Sequence, residues 1–209
     1  MPRLLFVVTE DWYFWSHRRH LAKASVEAGW DVAVATRVTG HEQQITALGI
    51  EVIPIPWNRG GLNPLTALRS AVALSRVIAN WRPGVVHYVA LKPVLTGLMQ
   101  MRSLPTVNAI TGLGYLFTEG GSRPGWLKFA VERMLGMALR RARAHTVVQN
   151  DDDAALAVRL HRDRREEVHV IPGAGLDLAQ YPHAPEPSGD TIRFALVARM
   201  LWDKGVGEY

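Results

Sequence analysis

The chain is 209 residues long, 48% hydrophobic and 21% charged, enough apolar side chain for a core of ordinary size, which argues against a disordered chain. It holds no cysteine, so disulfide frameworks, thiolate nucleophiles and cysteine-ligated metals are out. The net charge of +5 is concentrated: Arg123 to Arg165 carries ten basic against five acidic residues. That surface suits phosphates on nucleic acid, on an anionic membrane or on a diphosphate substrate, or is simply a set of solvated helix faces.

Taken in chain order, Leu4–Thr9 reads as a buried strand, too short for a signal sequence or a membrane span. A loop follows, Thr9 to His17, with Glu10 and Asp11 beside Trp12, Tyr13, Phe14 and Trp15. Four consecutive aromatics in a loop cannot all face one core, so some are expected to be exposed, where they could stack on a sugar or touch lipid; packing against a neighbouring loop is the plainer alternative. A helix is expected over Ser16–Ala28, then a strand at Asp31–Thr36, a helix at Glu42–Leu48 and a strand at Glu51–Ile55. Asn63 as N-cap with Pro64 at the first helical position opens a helix to Asn80.

The fourth strand, Val85–His87, leads to Lys92 and a helix over Pro93–Met101, placing an imidazole and an ammonium near the first loop; a structural histidine is the equal alternative. The fifth strand, Thr106–Ile110, includes Asn108 and runs into Thr111, Gly112, Gly114 and Tyr115, a glycine-punctuated loop suited to close backbone approach or to a lid. A helix over Pro124–Ala142, a strand at Ala144–Gln149, a helix over Asp151–Arg159 capped by Asn150, and a strand at Val168–Ile171 complete the series. Alternating strands and helices predict an α/β fold, a Rossmann-like parallel sheet flanked by helices.

Composition divides the chain into a domain over 1–181, a linker over 182–190 rich in proline, and 191–209 as the first strand and turn of a truncated second domain. Ile192–Ala198 reads as that strand, followed by a turn carrying Arg199 and Lys204. Ligands of open parallel sheets bind outside the carboxyl ends of the strands, so the loops there are the candidate site.

These pieces together resemble the retaining glycosyltransferases of the GT-B fold, family 4. The resemblance rests most specifically on Phe194 to Arg199 with Asp203-Lys204-Gly205, preceded by Ile171-Pro172-Gly173 through Asp177. It spans Leu4 to the last residue but only the N-terminal half of a typical member. The opening Phe6 to Phe14 with His17-Arg18, the Val86-His87 to Lys92-Pro93 segment and Gly112 to Tyr115 look like the branch that builds bacterial surface polysaccharides on a lipid carrier. The resemblance implies transfer of a hexose from a nucleoside-diphosphate sugar to a lipid-linked glycan. The donor diphosphate would be held by Arg199 and Lys204 and the acceptor by Glu10, Asp11, Trp12, Phe14, His17, His87, Lys92, Asn108, Thr111, Gly112, Gly114 and Tyr115.

No cofactor or metal is expected beyond the donor substrate, and nucleic acid is not an expected partner. An anionic membrane surface is, at the inner face of the plasma membrane from the cytoplasm, through the basic helices from Lys128 to Arg143. Thr9-Glu10-Asp11 stands where many members carry a glycine-rich turn, and Thr111-Gly112 where many carry a histidine, so no catalytic residue is assigned. As a fragment the chain is not expected to hold a sugar nucleotide tightly. Rival readings are a GT-B sugar-nucleotide epimerase and a non-catalytic partner subunit. A dinucleotide oxidoreductase ranks below them, because the first turn lacks Gly-x-Gly-x-x-Gly.

Overall fold

The computed structural model describes residues 1–57, 64–100, 104–112, 125–175, 178, 181–185, 194–198, 200 and 205–208. The chain divides into two compact units, Met1–Leu176 and Asp177–Tyr209.

In the first unit, β1 (Arg3–Glu10), β2 (Asp31–Arg37), β3 (Glu51–Pro54), β4 (Val85–Val89), β5 (Thr106–Ile110), β6 (Ala144–Val148) and β7 (Val168–Val170) form one parallel sheet in the order β3-β2-β1-β4-β5-β6-β7. The central strands are apolar on both faces because helices cover both. One layer is α1 (Asp11–His17), α2 (Arg19–Glu27) and α3 (Glu42–Thr46), over Phe6, Val8, Val34 and Val89. The other comprises α4 (Pro64–Trp81), α5 (Leu91–Gly97), α6 (Gly125–Leu139) and α7 (Asp151–Leu160), over Leu5, Val7, Ala35, Tyr88 and Val148. The strand order reverses between β1 and β4, and the crevice beyond their carboxyl ends is where such sheets bind ligands.

Three expectations are corrected. The aromatic run is not a loop: Asp11–His17 is helical, and Phe14 is fully buried with its ring edge-on to Phe6 at 5.5 Å. A period of 3.6 distributes neighbouring aromatics around the helix, so Phe14 turns to the core while Trp12 stays exposed. The helix expected over Ser16–Ala28 is two helices broken at Arg18, whose φ of −127° and ψ of −10° are not helical. Phe194–Ala198 forms no strand and is exposed, Val197 at 95%, because a strand needs ladder partners and the described residues of its unit supply none. Ile192 and Arg193 lie outside the described residues, as does the N-cap expected at Asn63.

The cap at Asn150 forms as its sequence predicts. Its side chain accepts from the Asp153 amide at 2.8 Å, and three aspartates fill the first turn of α7.

Candidate functional site at the carboxyl edge

Glu10 ends β1 and is buried; its Oε2 accepts from Arg37 Nε at 3.1 Å and Nη2 at 2.9 Å, while Oε1 is buried with no hydrogen bond among the described residues. The next residue behaves differently. Asp11 is fully buried, and its carboxylate accepts from the amides of Trp12, Thr39, Gly40 and His41 at 2.7 to 3.0 Å and from the Thr39 hydroxyl. Burial alone would raise its pKa, but these donors outweigh it and hold it at about 2. Four of these bonds, from Thr39, Gly40 and His41, tie the segment after β2 to the start of α1, so this carboxylate has a structural task.

His87, on β4, is 8% exposed, stacks on Phe6 at 5.0 Å, and leaves Nε2 buried without a hydrogen bond among the described residues. Burial, helped by the positive charge of Arg18, lowers its pKa to about 3. The ring is therefore neutral at pH 7, too weakly basic to abstract a proton but able to donate or accept one hydrogen bond. Lys92 sits in the first turn of α5; burial lowers its pKa and the Glu10 carboxylate opposes the fall. Between β4 and α5, Ala90 adopts φ 71° and ψ 165°, a region that L-residues rarely occupy and that costs of the order of 1 to 3 kcal/mol.

Arg18, in the break between α1 and α2, is 9% exposed. Its Nη1 reaches only the His17 carbonyl at 3.4 Å, and its Nε is buried with no partner among the described residues. Tyr13 stacks on His17 at 4.3 Å and donates to the Thr111 hydroxyl at 3.2 Å, joining α1 to the end of β5; the His17 ring also meets Ser16 Oγ at 2.6 Å. Gly112 follows with φ +123°, which favours glycine.

Asn108 does not join this group. It pairs laterally with Tyr88 and Thr146, which puts it on the opposite face of the sheet from His87, where it lines a small internal cavity with Tyr88, Gly97 and Arg141. Phe14 is core, as described. Gly114, Tyr115, Arg199 and Lys204 lie outside the described residues.

The structure thus brings together Glu10, His17, His87, Lys92 and Thr111 at one edge, and adds Tyr13, Arg18 and Arg37. Sequence reasoning named Tyr13 among the loop aromatics and Arg18 within a resemblance but assigned neither to the site, and it missed Arg37, because nothing in the pattern separates a buried arginine from a solvated one. The edge can accept a hydrogen bond from a hydroxyl at Glu10 Oε1 and can neutralise an anion at Arg18 or Lys92.

A second surface lies on α6, where Trp126 (70% exposed), Phe129 (66% exposed), Met134 and Met137 stand among Lys128, Arg133 and Arg140. Arg141 does not belong to it. Its guanidinium donates to the carbonyls of Gly97, at 2.7 Å, and Gln100, at the end of α5. Among the described residues no helix is long and apolar enough to cross a membrane.

Residues 3–149 match a family model described as glycosyl transferase 4-like. The chain is 23% identical over 207 residues to the N,N'-diacetylbacillosaminyl-diphospho-undecaprenol alpha-1,3-N-acetylgalactosaminyltransferase of Campylobacter jejuni, covering 92% of this chain and 54% of that protein. It therefore spans about half the length of this relative. Among solved structures, Anabaena HepE in complex with UDP and glucose superposes with a TM-score of 0.60 at 14% identity, covering 88% of this chain and 48% of that one. Sucrose-phosphate synthase from Thermosynechococcus elongatus gives 0.59 at 16%, covering 82% and 48%. At these identities the structures establish the fold, the sheet-and-helix half of a GT-B architecture.

Proposed function

The chain belongs to the glycosyl transferase 4-like family, and from that premise we propose that it is the acceptor-binding half of a retaining transferase. The reaction moves a hexose from a nucleoside-diphosphate sugar to a hydroxyl of a lipid-diphosphate-linked glycan. The observation that carries this reading is the half-satisfied polar edge at the β1/β4 switch point. Glu10 Oε1 and His87 Nε2 are buried and unpartnered, as hydrogen-bonding groups awaiting a hydroxylic substrate would be, and two cations lie beside them. The name of the Campylobacter relative, an enzyme acting on a diphospho-undecaprenol substrate, supports the same acceptor chemistry.

Arg199 and Lys204 would balance the charge that develops on the departing nucleoside diphosphate, without a metal. The exposed apolar and basic face of α6 suits a position against an anionic bilayer, its aromatics at the headgroup boundary. Because Arg141 is engaged with the end of α5, that idea is tested with Trp126→Glu and Phe129→Glu. Both variants should lose flotation with phosphatidylglycerol vesicles, and unchanged flotation removes the membrane contact.

The function is tested with the natural gene product, a panel of nucleoside-diphosphate hexoses and an isoprenyl-diphosphate-linked monosaccharide. Extension of the lipid-linked sugar by one hexose, with the anomeric configuration of the donor kept, is the expected result. Release of an epimerised sugar nucleotide without any lipid acceptor would replace this reading with the epimerase.

A further inference from the structure

The amino ends of two helices of the first unit are built in opposite ways. The amino end of α7 carries an Asn150 cap and three aspartates, which satisfy its free amides and its positive dipole end. The amino end of the nine-residue α2 has no side-chain cap and no acidic residue in its first turn, and its N-cap residue is Arg18, a cation placed at a positive helix end. Arg18 is 9% exposed, its Nε is buried with no partner, and no carboxylate pairs with it among the described residues. A buried unpaired charge at such a place is unfavourable on its own. His87 adds a second orphaned nitrogen close enough to feel the Arg18 charge, and it lies on β4 at the switch point. Two carboxylates at the end of β1 and the start of α1 are already committed, Asp11 to the segment Thr39–His41 and Glu10, through Oε2, to Arg37.

We infer that Arg18, the bare amino end of α2 and His87 Nε2 form a subsite for a substrate diphosphate. A diphosphate, two linked tetrahedral phosphoryl groups each bearing negative charge, supplies what each part lacks: charge for the guanidinium, acceptors for the amides at the start of α2, and an acceptor for a His87 tautomer protonated at Nε2. The group could belong to the lipid carrier of the acceptor or to the nucleotide of the donor; the shared chemistry is the diphosphate. The inference rests on the transferase reading for what brings the diphosphate, but its binding step is measurable without any transfer.

The test is calorimetric titration of the 209-residue chain with inorganic pyrophosphate, alongside Arg18→Met and Arg18→Lys, with the melting temperature of each. Wild type should bind at millimolar pyrophosphate or below. Arg18→Met should bind at least tenfold more weakly while melting no lower than wild type, because an unpaired buried charge has been replaced by an apolar chain of similar length. Arg18→Lys should fall between. Failure of wild type to bind, unchanged binding by Arg18→Met, or a joint loss of binding and of melting temperature each overturns the subsite, the last by making Arg18 a structural residue. Displacement of pyrophosphate by geranyl diphosphate assigns the subsite to the carrier, and displacement by UDP to the nucleotide; displacement by neither reduces it to an adventitious ion only and overturns the substrate assignment. Pyrophosphate binding through Arg18 together with absent hexose transfer by the natural gene product would leave the subsite standing and remove the transferase reading.

Discussion

The two ends of the same parallel sheet are built on different terms. At the amino edge Arg3 pairs with Asp31 at 3.0 Å, donates to the Trp81 carbonyl and lies over the Trp81 ring at 5.2 Å, while Trp81 Nε1 donates to Glu51 at 2.8 Å. At the carboxyl edge Glu10 Oε1, Arg18 Nε and His87 Nε2 are buried without partners, and Ala90 holds an unfavourable backbone conformation. Around Arg3 and Trp81 the amino edge has its hydrogen bonds made within the chain, whereas at β1 and β4 the carboxyl edge holds some of them open. In a fold whose local choices otherwise agree with one another, such departures collect where a ligand completes the structure.

Substitutions can break that comparison, and the largest effect belongs at the satisfied edge. Trp81→Ala removes a buried indole and its bond to Glu51, and should cost about 3 to 5 kcal/mol in chemical denaturation. Asp11→Ala should come next, at about 3 kcal/mol, because it is the satisfied exception on the open edge and its loss leaves the amides of Thr39, Gly40 and His41 without their carboxylate acceptor. The Asp11 carboxyl sits at about 2 in the fold, below its ordinary 3.8. Its contribution is therefore fully present above pH 4 and is lost as pH falls toward 2.

Histidines sharpen the comparison from the other direction. Burial lowers His87 to about 3 and His161, whose Nε2 meets Thr146 Oγ1 at 2.8 Å, to about 4. The unfolded chain then binds protons that the fold refuses, so stability should fall as pH drops below 6.5, by up to about 1.4 kcal/mol per pH unit per histidine. His87→Leu should flatten part of that slope between pH 6.5 and 3, read from denaturation midpoints. The smallest effect is Ala90→Gly, expected to stabilise by about 1 kcal/mol or less, since relief of the backbone strain is partly offset by glycine's greater freedom when unfolded.

All seven strands of the sheet were legible as short runs rich in apolar and β-branched residues between helices, most plainly β1 and β4, where burial on both faces leaves nearly every position apolar. The helix Asp11–His17 was not, since consecutive aromatics mask a 3.6 period that only packing of Phe14 on Phe6 reveals. Sequence reasoning put both Asn108 and His87 in the acceptor site. Register decides the matter: Asn108 pairs with Tyr88, one residue on from His87 and therefore on the other face. Arg18 entered only as part of a resemblance, for its burial depends on how α1, α2 and β4 converge, which no local pattern encodes.

The central claim is that an acceptor carrying hydroxyls and a diphosphate completes the open edge. It is tested most directly by the melting temperature of the 209-residue chain with and without a short-chain isoprenyl-diphosphate-linked monosaccharide. A ligand that binds only the folded state must raise that temperature. The account predicts a rise that is lost in Glu10→Gln and His87→Leu but kept in Asn108→Ala, which changes the opposite face. No rise at saturating ligand, or a rise equal in all four proteins, would contradict it.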